Sequence, residues 1–310
     1  MTDTQKQIAG YIAGGCKDGG SLGVELEHFI VRKDGSQVSY YDGISELLRR
    51  LSETYTEKGY SGKELIALYN DEASITIEPA GQLEISIVPC SEIAEIDRIY
   101  NNFLETIKPH LDELGFNLVT LGYTPRSKAA DMRLIPKARY DYMDKYFRTS
   151  GRYGRNMMRA TASTQISVDF SDEADCVRKM RLANLLTPVI YLITDNAPYF
   201  EGKPYDGRML RSKIWADVDK DRCGTVPRLF KDDFGFASYA EYITQAPAIL
   251  ISGENGPVYT GSEKIEHIYS GKNLTDGEIE HILSMFFPDV RLKRYIEIRP
   301  ADSMPREYVM

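Results

Sequence analysis

The chain has 310 residues, 42% of them hydrophobic and 27% charged, which is the balance of an ordinary soluble globular protein with length enough for a sizeable core. A net charge of −8 argues against general nucleic-acid binding, and the longest apolar stretches fall short of a bilayer span, so neither nucleic acid nor membrane is expected as a partner. Four widely separated cysteines (Cys16, Cys90, Cys176, Cys223), none in a Cys-x-x-Cys pair, fit reduced, inert thiols in a cytoplasm.

The N-terminus lacks the basic start and apolar core of a signal peptide, and a short helix is expected to end at Gly14-Gly15. The first strand is expected over Leu22–Val31. Within it, Gly23-Val24-Glu25-Leu26-Glu27 places both glutamates on one face and Val24 and Leu26 on the other. Asp42 is the expected cap of a helix whose apolar positions are Ile44, Leu47, Leu48, Leu51 and Tyr55. A hairpin-like pair follows, Ser74–Glu78 and Gln82–Val88, joined through Pro79-Ala80-Gly81. Ser91 is the expected cap of a longer helix that runs through Ile96, Phe103, Ile107 and Leu111 and stops at Gly115. A strand over Phe116–Tyr123 then leads into a basic belt.

From Arg126 to Arg159 the belt holds ten Lys or Arg against three Asp, a balance of +7 in an acidic protein. Two readings stand side by side: a site for a small polyanion such as a nucleoside triphosphate, or a basic surface loop without a ligand. Part of the belt, around Tyr140–Tyr146, is expected to be helical. A strand from Gln165 to Phe170 follows, then a helix over Asp172–Asn196 that Pro188 bends or divides. Lys203–Pro227, dense in Asp, Arg, Gly and Pro, reads as an active-site loop, and 229–250 as short helices covering a cleft. A helix near Asp276–Phe287 precedes a last strand over Arg294–Arg299. Strands separated by helices and hairpins without a βαβ rhythm predict α+β architecture, a mostly antiparallel sheet with helices on its apolar face. With no repeat and no Pro/Gly/Ser-rich linker, one domain over 1–310 is expected.

If the alternating segments pair into one sheet, Glu25, Glu27, Glu78, Glu84, Gln165 and Glu297 converge on its polar face. Any half-solvated sheet has a polar face. An ordinary one interleaves both signs, whereas here Arg299 is the sole cation among these positions. Like charges side by side destabilise a sheet, and hard divalent cations prefer such oxygen ligands. That pattern points to a metal-dependent enzyme. His-Glu-x-x-His, Gly-x-x-x-x-Gly-Lys-Ser/Thr, Gly-x-Gly-x-x-Gly and Gly-x-Ser-x-Gly are all absent, which argues against zinc hydrolases, P-loop and Rossmann proteins and α/β-hydrolases. A carboxylate-rich metal site beside many arginines suits phosphoryl transfer from a metal–nucleotide complex.

Five motifs in order carry a family resemblance. They are Gly23-Val24-Glu25-Leu26-Glu27; Glu78-Pro79-Ala80-Gly81-Gln82-Leu83-Glu84-Ile85-Ser86; Met158-Arg159-Ala160-Thr161-Ala162-Ser163-Thr164-Gln165; Arg211-Ser212-Lys213-Ile214-Trp215 with Asp219-Lys220-Asp221-Arg222-Cys223-Gly224; and Tyr295-Ile296-Glu297-Ile298-Arg299-Pro300-Ala301-Asp302. From about Gly14 to Asp302 the chain resembles the glutamate–cysteine ligase family, in its plant and proteobacterial branch. The resemblance implies a glutamine-synthetase-like fold, a curved antiparallel sheet forming a funnel backed by helices. It also implies the ATP-dependent joining of the L-glutamate γ-carboxylate to the amino group of L-cysteine through γ-glutamyl phosphate.

By that resemblance Glu25, Glu27, Glu78, Glu84, Gln165 and Glu297 bind Mg²⁺, and Arg299 stabilises the transferring phosphoryl group, with a salt bridge to Glu297 as its other reading. Arg211 holds the carboxylate of substrate glutamate and Arg222 is a second candidate. Trp215 walls the pocket or simply packs. Arg159, with Gln165, faces the nucleotide. Family members usually continue past the last motif, so either a truncated or a minimal version is expected, and Pro300 stands where relatives commonly carry glycine. A different amine acceptor, or a non-catalytic nucleotide- or amino-acid-binding relative, remain the alternatives. The sequence does not give the oligomeric state.

Overall fold

Strand β1 (Leu22–Arg32) is the axis of the main sheet in the computed structural model, which describes residues 1–253 and 256–310. The chain continues through β2 (Glu57–Ser61), β3 (Glu64–Tyr69), β4 (Ala73–Ile77), β5 (Leu83–Cys90), β6 (Phe116–Val119) and β7 (Thr164–Val168). Hairpin β8 (Pro247–Gly253) and β9 (Gly256–Lys264) stands apart, and β10 (Val290–Leu292) and β11 (Ile296–Ile298) complete the main sheet. Its order is β10-β11-β7-β1-β5-β4-β3-β2, with β6 on the far half of β1, and each of these pairings is antiparallel. The α+β expectation therefore matches the observed architecture.

The longer helices are α1 (Asp3–Ala13), α2 (Ser45–Leu51), α3 (Ile93–Leu114), α4 (Ala138–Ser150), α5 (Gly154–Ala160), α6 (Glu173–Ile193), α7 (Leu210–Trp215), α8 (Phe236–Gln245) and α9 (Asp276–Leu283). On the apolar face of the sheet, Val24 and Leu26 of β1, Ile75 and Ile77 of β4 and Leu83, Ile85 and Ile87 of β5 share one core with Ile96, Ile99, Tyr100, Phe103, Ile107 and Leu111 of α3. Each such side chain contributes about 1.5–3 kcal/mol by leaving water. His28 also points to this side. Its Nδ1 lies 3.2 Å from the Leu83 carbonyl, which can only accept, so Nε2 takes the Tyr100 hydroxyl proton at 2.8 Å. Burial lowers the His28 pKa to about 4 and keeps the ring neutral within the core.

Several boundaries differ from expectation for local reasons. Ser39, not Asp42, caps the α2 region, because a turn over Tyr40–Ile44 starts the helix early and the Ser39 side chain accepts from the Asp42 N–H. That helix ends at Leu51, before Tyr55. Glu92, not Ser91, occupies the cap of α3, with no side-chain hydrogen bond, while Gly115 ends the helix in the left-handed conformation at φ 70°. Pro188 does not divide α6, which continues to Ile193. The strand expected over Phe116–Tyr123 stops at Val119. Of the short helices expected over 229–250, α8 packs on α1, and its Ser238, Glu241 and Tyr242 line a hollow separate from the carboxylate cavity described below. The edge hairpin β2–β3 and the hairpin β8–β9 are elements that the sequence reading did not identify.

Candidate active site

Strand register places the polar side chains. Glu25 on β1 faces Ser86 on β5 and Gln165 on β7, Glu27 faces Glu84 on β5, and Glu84 in turn faces Thr76 on β4. Glu78 lies just beyond β4 in a turn closed by Gly81 N–H donating to the Glu78 carbonyl at 3.0 Å, with Gly81 at φ 97°. Glu297 on β11 faces Ser167 on one side and Arg291 of β10 on the other. All five glutamates reach one buried region, and four of them line a cavity of about 310 Å³ with Gln165, Arg211, Trp215 and Arg299.

The glutamates divide into two electrostatic classes. Glu297 is fully buried, accepting from Arg291 Nη2 at 2.6 Å, Lys293 Nζ at 3.0 Å and Arg299 Nη1 at 2.7 Å. Burial opposes its charge, but these three cations outweigh burial and hold its carboxyl well below the usual carboxylate range. Glu25, Glu78 and Glu84 are in no salt bridge among the described residues. Burial, then the charges of Glu84 and Glu297, push Glu25 up to about 8. Burial and Glu27 push Glu78 to about 7, and burial with Glu78 and Glu27 pushes Glu84 to about 8. Glu27 is intermediate. Burial raises it, while Arg211 and Arg299 oppose, and its oxygens accept from the Ser163 N–H at 2.7 Å and the Gln165 amide at 3.1 Å.

The arginines show why position matters more than residue type. Arg299 donates both to Gln165 Oε1 and to Glu297, so the salt-bridge reading of this residue holds in the structure, with the guanidinium still at the cavity wall. Arg211 is buried and donates through Nη1 to the carbonyls of Arg299 at 3.1 Å and Pro300 at 2.9 Å. Its Nε and the Trp215 indole N–H have no hydrogen-bond partner among the described residues. Two donors without acceptors beside a cavity are the complement of an anionic or carbonyl oxygen.

Four of the expected site residues already have partners of their own in the structure. Arg222 is fully buried, paired with Asp219 at 2.6 Å, and its other nitrogens donate to the carbonyls of Met285 and Pro247. It fastens loops together and does not line the cavity. Arg159 pairs with Asp144 of α4 at 2.5 Å and donates to the Met132 carbonyl, and it lines a separate hollow with Arg133, Lys145 and Arg148. Gln165 bridges Glu27 and Arg299 with its amide, so its oxygen already has a donor. The carboxylate oxygens of Glu297 are occupied by cations.

Arg222→Met is accordingly expected to destabilise the protein by about 3–5 kcal/mol, because it strands Asp219 as a buried, unpaired charge. Urea denaturation checks this, and an unchanged midpoint would show that the Arg222–Asp219 pair does not hold the fold together.

Lys137, Arg139, Arg291 and Lys293 line the cavity and were not singled out from the sequence. For two of them a signal existed. Val290 and Leu292 are buried apolar residues alternating with Arg291 and Lys293, so the period-two pattern begins one strand before the last motif. Lys137 and Arg139, at the start of α4, belong to the basic belt and face Glu78.

Among the described residues, no group of three or more His, Cys, Asp or Glu side chains is drawn together closely enough to hold a metal ion as placed. The donor set nevertheless suits a hard cation. Glu25, Glu78 and Glu84 are buried carboxylates in no salt bridge among the described residues, and the cations nearby do not offset their burial, so a bound cation or a proton would balance them.

Over residues 21–310 the chain matches the model of a family described as glutamate-cysteine ligase family 2. It is 35% identical over 312 residues to the chloroplastic glutamate–cysteine ligase of Arabidopsis thaliana, a match that covers 97% of this chain and 60% of that one. The chloroplastic enzyme of Brassica juncea is also 35% identical, with 97% and 61% covered, and that of Medicago truncatula is 34% identical with the same coverage. The chain thus spans about three fifths of the length of these curated relatives. A crystal structure of glutamate–cysteine ligase from Francisella tularensis in complex with AMP aligns at a TM-score of 0.47 and 13% identity, over 95% of this chain and 65% of that one.

Proposed function

The chain belongs to glutamate–cysteine ligase family 2, and from that premise we propose that it joins the γ-carboxylate of L-glutamate to the amino group of L-cysteine at the expense of ATP. The observation that carries this reading is the pairing, within one cavity, of glutamates in no salt bridge with fixed arginines. Such a site can bring together a polyphosphate and a carboxylate that would otherwise repel each other.

In the reaction, a γ-carboxylate oxygen of glutamate attacks the terminal phosphorus, the bond to ADP breaks, and γ-glutamyl phosphate forms. The cysteine amine then attacks the acyl carbon, phosphate leaves, and the nitrogen releases a proton as the amide forms. Glu25, Glu27, Glu78 and Glu84 would hold Mg²⁺. Bound there, the metal supplies charge screening between phosphate oxygens and the incoming carboxylate. Arg299, held by Gln165 and Glu297, presents a fixed positive charge where phosphoryl oxygens gather charge. Its orientation is set before substrate arrives, so little reorganisation is needed. The open Arg211 Nε and Trp215 N–H offer donors to the carboxylate of substrate glutamate. Lys137 and Arg139, beside Glu78, extend positive charge along the wall toward the nucleotide.

The test is ADP release with Mg²⁺, ATP and glutamate, with and without cysteine, and identification of the product by mass. Cysteine-dependent ADP together with γ-glutamylcysteine is the expected result. ADP formed only with a different amine would replace the acceptor. Bound Mg–ATP with no ADP for any amine would make this a binding protein without turnover.

A further inference from the structure

The basic belt divides in the structure. Lys137 and Arg139 line the carboxylate cavity, whereas Arg133, Lys145, Arg148 and Arg159 line a separate hollow of about 600 Å³. These cations are held in place. Arg159 is only 7% exposed, pairs through Nη2 with Asp144 at 2.5 Å and donates through Nη1 to the Met132 carbonyl at 2.7 Å. Asp144, also buried, takes Arg148 on its other oxygen at 2.5 Å. One carboxylate thus serves two guanidinium groups, and a positive charge is left over. The Arg133 guanidinium lies 4.1 Å from the centre of the Tyr41 ring, and the Lys145 ammonium 4.1 Å from that of Tyr259. Neither is in a salt bridge among the described residues, so each is seated on an aromatic face with its charge unpaired. The buried Nε–H of Arg159 has no hydrogen-bond partner among the described residues. A buried donor left so costs about 1–3 kcal/mol unless a ligand accepts from it.

We propose that this hollow binds a small polyol phosphate, outside the carboxylate cavity. Two unpaired cations seated on tyrosine rings, with an arginine in the wall that still has an N–H to donate, make a fixed cradle for a phosphate dianion. Asp131 and Asp141 line the same hollow, exposed and in no salt bridge among the described residues. They would repel a second anionic group, which disfavours a polyphosphate, but they accept from hydroxyl groups. A molecule with phosphate at one end and hydroxyls at the other uses both sets of side chains. Free phosphate would fill only a small part of the space.

The two sites share their helices. On α4, Arg139, Tyr140 and Met143 face the carboxylate cavity, while Asp141, Asp144, Lys145 and Arg148 face the hollow. On α5, Met157 and Met158 line the cavity and Arg159 lines the hollow. A ligand in the hollow would therefore rest on the same two helices that shape the wall of the carboxylate cavity. This inference rests on the hollow alone and is independent of the proposed ligase activity.

Titration calorimetry on the full chain, without Mg²⁺ or nucleotide, tests this with glycerol phosphate, inorganic phosphate and glycerol. Glycerol phosphate is expected to bind, inorganic phosphate to bind more weakly and glycerol not at all, with affinity falling as salt is added. Arg159→Ala would strand the buried Asp144, so the decisive variant is Arg133→Gln combined with Lys145→Gln, both exposed. It should weaken glycerol phosphate by about tenfold or more and leave cooperative unfolding and basal ADP release unchanged. Lys137→Gln, in the carboxylate cavity, should bind glycerol phosphate as the wild type does. Absence of binding, binding indifferent to the Arg133 and Lys145 pair, or binding lost with Lys137→Gln instead would each overturn the proposal. Inorganic phosphate binding as tightly as glycerol phosphate would overturn the polyol part and assign the hollow to free phosphate.

Discussion

Glu25→Gln is expected to make the metal-free protein more stable while lowering ligase turnover at least 100-fold. Burial and the neighbouring charges of Glu84 and Glu297 raise the carboxyl of Glu25 to about 8. For a carboxyl whose folded pKa lies above its unfolded value near 4.5, the stability it contributes is complete below that value and is lost as pH rises through about 8. The amide has the same shape and does not titrate. The gain should therefore be small at pH 5 and grow to about 1–3 kcal/mol by pH 8.5, a discounted figure because the neighbouring carboxyls share the shift.

Turnover should fall because the variant has one fewer hard oxygen donor for the cation that the remaining glutamates need. Mg²⁺ should correspondingly stabilise the wild type more than the variant. Urea denaturation at the two pH values, with and without Mg²⁺, measures the stability terms, and ADP release measures turnover. A variant less stable than wild type at pH 8.5, or one with normal turnover, would remove Glu25 from the proposed metal-binding set.

Glu297→Gln should act in the opposite direction. This carboxylate balances Arg291, Lys293 and Arg299 in a fully buried position. Taking away its charge leaves three neighbouring cations without their shared partner, and the expected loss is about 3–5 kcal/mol. A denaturant midpoint equal to that of wild type would show that the cations rearrange onto Glu25 or another acceptor. Two glutamates on one sheet face thus respond with opposite sign to the same substitution.

The legible parts of the molecule were those governed by short-range periodicity. Alternation along Gly23–Glu27, Gln82–Ile87 and Tyr295–Arg299 identified strands and the side of each that carries carboxylates, because side-chain direction along a strand depends only on residue parity. The long apolar spacing of α3 and its glycine stop were legible for the same reason. Less legible were the caps at Ser39 and Glu92, where several candidate polar residues stand side by side and the surrounding packing selects one. The hairpin β2–β3 also escaped, since the solvated edge strand β2 has little apolar alternation to read and the apolar run of β3 does not alternate.

Arginine roles were the hardest to assign. Arg159, Arg211, Arg222 and Arg299 all lie in family-like motifs, yet two face the carboxylate cavity and two are pinned elsewhere by Asp144 and Asp219. A long side chain reaches several partners, and only the fold determines which acid is near. By itself the sequence determined the fold class, the family and the acidic face of the sheet, because these follow from pattern within single segments. The tertiary structure alone decided which acids are neutralised, which arginines remain available, and that α6 carries its apolar side outward. Charge pairing and burial depend on distances between segments far apart in the chain, and those distances exist only once the sheet and helices have packed.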